Sequence, residues 1–180
     1  MISSTALSPT IRPAAASDDE ALLALHRTSW TAGSGFPSAR SEEMSTYFTG
    51  RRKPETHLVA EQDGAIVGYV SVEPKLPFTE AAHVYALWSL VVSAQARRLG
   101  IASALLAAAE QVALERGATK LSLRVLGSNL PAQRLYERHG YVLEGRHAAE
   151  FLIDGEYVDD LALAKSLRQA SDQASGPVAG

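Results

Sequence analysis

Leu90-Val91-Val92-Ser93-Ala94-Gln95-Ala96-Arg97-Arg98-Leu99-Gly100-Ile101-Ala102-Ser103-Ala104-Leu105-Leu106 reads as an apolar strand, a short loop with two arginines and one glycine, and the start of a helix. A turn of this kind captures anions. The first N–H groups of a helix have no intrahelical acceptor, and with the helix dipole they favour a phosphate. Gly100 and Ala102 keep side chains out of its way, and Arg97 and Arg98 add positive charge beside it. The spacing fits neither a Walker loop, Gly-x-x-x-x-Gly-Lys-Ser/Thr, nor the three-glycine dinucleotide fingerprint. A diphosphate other than ATP or NAD is the expected ligand.

Outward from this stretch, Leu105, Leu106, Ala109, Val112 and Ala113 recur at helical spacing, which predicts a helix over 101–116 capped by Gly117. Lys120 to Val125 alternates as a strand, a helix follows over 130–139 and ends at Gly140, and residues 141–153 and 156–164 form a hairpin across Asp154-Gly155. Upstream, the third strand runs over 83–92, preceded by a hairpin with Gln62-Asp63-Gly64 at its turn. Ile11-Arg12-Pro13 reads as a short edge strand. Ser17 to Glu20 starts a helix that ends near Ser29, and a second, shorter helix is predicted over 41–51. The Gly/Pro-punctuated segment from Trp30 to Ala39 holds two large aromatics and reads as a lid. The order βααβββαβαββ describes a mixed α/β sheet without internal repeats. Residues 1–9 and 168–180 read as flexible tails around one domain over 10–167.

Composition agrees with a soluble folded domain: of 180 residues, 46% are hydrophobic and 21% charged. A net charge of −3 argues against nucleic-acid or anionic-membrane partners. The absence of cysteine removes disulfides, Cys-ligated metals and thiol nucleophiles. The five histidines are scattered without ligand spacing, so no metal site is expected. The start carries no basic-then-apolar pattern and no apolar run approaches the roughly 18 residues of a membrane span, so a cytoplasmic protein is expected.

Arg97-Arg98-Leu99-Gly100-Ile101-Ala102 resembles motif A of the GNAT superfamily of acetyl-coenzyme A-dependent N-acetyltransferases, Arg/Gln-x-x-Gly-x-Gly/Ala after an apolar strand. The stretch from Asn129 through Ala132 and Tyr136 to Gly140-Tyr141 resembles that family's second motif, in the right order and at a fitting distance. The resemblance covers about 11–167. It implies a mostly antiparallel central sheet with helices on both faces, acetyl-CoA as cofactor and, as a family expectation, a homodimer. It further implies that the backbone of Arg98 to Ser103 holds the pyrophosphate with Arg97 beside it, and that Leu90, Val91 and Val92 run along the pantetheine arm. Asn129 and Ala132 would meet the cofactor, and Arg134 or Arg138 its 3′-phosphate. Tyr136 would be the general acid for the leaving thiolate. Asn129 also reads as a helix N-cap, and Tyr136 also as a packing residue.

The third strand carries no carboxylate where many family members place a base, so His83, Glu73, Glu80 and Glu150 by water relay are the candidates, or the acceptor arrives partly neutral and needs none. Trp30, Phe36, Tyr85, Trp88 and Tyr157 are candidates for an acceptor pocket, with core packing as the alternative. The carboxy-terminal part looks like the branch that acetylates amino acids, small amines, phosphinothricin-type antibiotics or protein N-termini. The resulting expectation is transfer of acetyl to a small amine or amino acid by direct attack in a ternary complex. A protein or peptide acceptor, at an N-terminus or lysine, is one alternative. A non-catalytic acyl-CoA-binding sensor is the other.

Overall fold

The computed structural model describes residues 9–31, 33–36, 38 and 44–168, and most of both expected tails lies outside them. Seven strands, β1 (Thr10–Pro13), β2 (His57–Gln62), β3 (Ala65–Pro74), β4 (Val84–Val92), β5 (Lys120–Leu126), β6 (Val142–Ile153) and β7 (Glu156–Ser166), form one sheet in the order β1-β2-β3-β4-β5-β7-β6. Three α-helices stand among the described residues: α1 (Asp19–Ser29), α2 (Ile101–Glu115) and α3 (Leu130–Arg138). All neighbouring strands are antiparallel except β4 and β5, between which α2 carries the chain back across the sheet.

Alternation along β2 and β3 divides their side chains between two cores. Leu58, Ala60, Val70 and Val72 face α2 with Leu105, Leu106, Ala109 and Ala113. Val59 and Tyr69 face α1 with Leu22, Leu23, Leu25 and Tyr47. The two helices therefore cover opposite faces, as expected. Burying one such leucine contributes about 2 kcal/mol.

The helix expected over 41–51 is not formed in its described part, since residues 44–51 have no helical hydrogen bonding. Its first three residues lie outside the described ones. The reason is tertiary: the Asp19 carboxylate accepts the backbone N–H groups of Tyr47 (3.0 Å) and Phe48 (2.7 Å), and the Tyr47 ring is buried among Phe48, His57 and Tyr69. Ser, Thr, Phe and Gly in this stretch supply little intrinsic helix preference to oppose that anchoring.

Candidate active site

The sheet opens in its middle. β4 and β5 pair only from Val84–Lys120 to Leu87–Leu123, although β4 continues to Val92 and β5 to Leu126. The split starts beside a bulge: Ser71 faces Ser89 and Val72 faces Leu87, which leaves Trp88 as the extra residue of β4. Two cavities flank the opening, of about 660 and 480 Å³, and share the side chains of Trp30, Leu90, Asn129 and Tyr136 as a common wall.

The larger cavity ends at the N-terminus of α2. Gly100 caps that helix with φ +78°, a conformation that favours glycine, and Arg98 before it is also left-handed at φ +66°. For an arginine this costs roughly 1 kcal/mol, and such outliers concentrate where a loop is shaped for a ligand. The first turn has neither a side-chain cap nor an acidic residue, and the first main-chain bond is from Ala104 N–H to Gly100 O, 3.0 Å. The amides of Ile101, Ala102 and Ser103 therefore have no acceptor among the described residues, with Arg97, Arg98 and Arg138 on the same wall. This is an anion cradle built from backbone, and the Leu90–Val92 edge leading to it suits an extended amide-containing arm such as pantetheine.

Asn129 caps α3 by accepting the Ala132 N–H (3.2 Å) at its Oδ1, and its Nδ2 donates to Ser34 O (3.5 Å). Tyr136, two turns further along α3, is buried at the meeting of the two cavities, and burial pushes its phenol up to about 12. The Trp30 indole N–H donates to His26 Nδ1 (2.9 Å) and its ring lies on Gly35, where an added Cβ would stand 2.0 Å from Trp30 Cε3.

The smaller cavity is built from side chains of separate elements. Trp88 from β4 is half-exposed on its wall, and Phe36 meets Phe151 of β6 edge to face at 4.7 Å. Arg124 of β5 donates from Nε to Asp160 Oδ2 of β7 (2.6 Å), and Lys120 holds Glu144 at 2.5 Å. Asp160 raises the Arg124 guanidinium further above its ordinary value by hydrogen bonding.

Most sequence-predicted positions converge here. Leu90, Val91, Val92, Arg97, Arg98, Gly100, Ile101, Ala102, Ser103, Asn129, Ala132 and Tyr136 surround the larger cavity, and Trp30, Phe36 and Trp88 border the smaller. Others stand elsewhere. Leu99 is exposed off the wall, and Arg134 is exposed while Arg138, one helical turn on, takes the wall. Tyr85 shares the parity of Leu87 and is buried in the core under α2, and Tyr157 is exposed at the start of β7. None of the candidate bases lines either cavity: His83 and Glu80 are exposed, Glu150 is exposed with its charge felt by Arg124, and Glu73 lies on β3, where burial raises its carboxyl. The sequence reading missed Arg124, Asp160, Glu144 and Phe151. Strand alternation over Val158 to Leu163 held the one usable signal, a carboxylate at the inward position of Asp160.

The chain belongs to the GNAT acetyltransferase family, whose model matches residues 20–141. It is an acyltransferase by that membership. The Bacillus subtilis protein YwnH, assigned as a phosphinothricin acetyltransferase, is 26% identical over 88% of this chain and 99% of its own length. The Escherichia coli L-amino acid N-acetyltransferase AaaT is 30% identical over 60% of this chain and 66% of its own. Among solved structures, smu.2055 of Streptococcus mutans superposes with TM-score 0.74 at 25% identity, covering 88% of this chain and 99% of that one. The ribosomal-protein-alanine N-acetyltransferase of Brucella melitensis superposes with TM-score 0.67 at 27% identity, over 87% and 99%. The names of three of these proteins give different acceptors: phosphinothricin, L-amino acids and a ribosomal-protein alanine.

Proposed function

We propose that this chain transfers the acetyl group of acetyl-CoA to the primary amine of a small molecule or amino acid, by direct attack with both substrates bound. The observation that carries this reading is the pair of cavities meeting at Tyr136 across the split between β4 and β5. The larger has a diphosphate cradle for the donor. The smaller is bounded on several sides by Phe36, Trp88 and Phe151 and matches a small acceptor.

In this reading a β4 peptide N–H past the split polarises the thioester carbonyl. Tyr136 keeps its proton at any working pH, donates it to the departing sulfur and regains one from the acceptor nitrogen. Asp160 and Glu144 are both held by cations, so neither is a free base. The acceptor is attacked in its neutral fraction. The domain spans 10–167 and acts in the cytoplasm. No described helix is long and apolar enough to cross a membrane. Exposed Val142, Leu143 and Leu152 on the edge strand β6 support a homodimer.

Two measurements test the mechanism. Coenzyme A release should fall about 100-fold in kcat for Tyr136→Phe, with the acetyl-CoA Kd unchanged. An unchanged kcat would take the general-acid role away from Tyr136, and acetyl-CoA binding without coenzyme A release on any amine would return the chain to a non-catalytic binding role. In the wild type, kcat/KM should rise with pH toward the acceptor's own amine pKa and then stay level through pH 10, because the Tyr136 phenol titrates only near 12. A fall between pH 9 and 10 would assign the proton to another group.

A further inference from the structure

The acceptor cavity contains a guanidinium with two of its five N–H donors engaged. Arg124 turns the edge formed by Nε and Nη2 onto one oxygen of Asp160, with Nε–Oδ2 at 2.6 Å. Asp160 is only 5% exposed, and a buried carboxylate persists when it is paired in this way. The other edge of the guanidinium, where Nη1–H and the second Nη2–H point in parallel, has no acceptor among the described residues, and the side chain is 48% exposed. Two parallel N–H groups match the two oxygens of a carboxylate.

We propose that this open edge of Arg124 receives the carboxylate of the acceptor, so that the acceptor is an α-amino acid rather than a polyamine, an aminosugar or a peptide N-terminus. The inference rests on the small-amine reading above and narrows it. The charges on the wall support it. The two carboxylates that line the cavity are engaged, Asp160 by Arg124 and Glu144 by Lys120, and the exposed Glu150, whose charge also reaches Arg124, lies off the wall. Lys75 on the same wall has no ion pair among the described residues. The unsatisfied charge is thus positive, while Trp88, Phe36 and Phe151 offer an apolar surface to a side chain. Asp160 fixes the plane of the guanidinium and acts as a positioning residue.

The test uses the full chain with a panel of L-amino acids, each beside its amide and its decarboxylated amine, and follows product formation by coenzyme A release. The wild type should prefer the acid to its amide by about 30- to 100-fold in kcat/KM. Arg124→Met should abolish that preference through the KM of the acid, with a far smaller change for the amide and none in acetyl-CoA affinity. Arg124→Lys should restore part of it. Because Arg124→Met leaves Asp160 unpaired, the double variant Arg124→Met/Asp160→Asn removes both charges and should show the same loss of preference. A purely structural role would lower acid, amide and donor affinity together, and that result overturns the proposal. Amides or amines accepted as well as the acids by the wild type overturn it too, while leaving acetyl transfer in place. Acetylation of no amine of any kind removes both readings.

Discussion

The two cavities are made of different material. The cavity proposed for the donor ends on backbone: three amides at the start of α2, a left-handed Gly100 and the open edge of β4. The cavity proposed for the acceptor is a set of side chains from β4, β5, β6, β7, α3 and the segment after α1. Backbone donors are present whatever the side chains are, provided the turn keeps its shape. A side-chain cavity changes with each substitution. The difference teaches that substitutions should separate donor affinity from acceptor affinity according to whether they alter chain path or surface.

The largest effect is expected at Gly100. Gly100→Asp adds a negative charge at the helix N-terminus and a Cβ at φ +78°, so the acetyl-CoA Kd should rise about 100-fold, equally for every acceptor. An acceptor-dependent rise would break the separation. Trp88→Ala comes next. It removes the apolar wall at the bulge and should raise acceptor KM about tenfold while donor Kd stays within twofold. The smallest effect is expected for Arg98→Ala, where a weakened donor Kd of about threefold follows from losing one solvated charge beside intact amides. A loss there as large as that for Gly100→Asp would show that side chains, not backbone, hold the pyrophosphate.

The same contrast explains what could be read from the sequence. The strand, Gly100 and the helix start are contiguous, so the turn and α2 are legible as one local motif. The second motif placed Asn129 and Tyr136 for the same reason. The partnership of Arg124 with Asp160 spans 36 positions and needs β7 to lie beside β5, which no local pattern announces. Tyr85 and Trp88 looked equivalent as aromatics on one strand, but their parity differs and the bulge at Trp88 turns the chain between them. The absent helix before β2 illustrates a tertiary override, because the two N–H groups it needed are held by Asp19 of α1.

The early end of the β4–β5 ladder has a consequence for the protein without its substrates. An ordinary seven-stranded sheet has two edges, but this one has four, since β4 past Leu87 and β5 past Leu123 each present unpaired main-chain groups in the interior of the sheet. Such groups invite strand pairing with another chain. Trp30 and α3 stand over the gap and narrow the approach. A bound donor arm closes it, so acetyl-CoA should act as a guard against self-association as well as a reactant, and the empty protein is the form in which aggregation should begin.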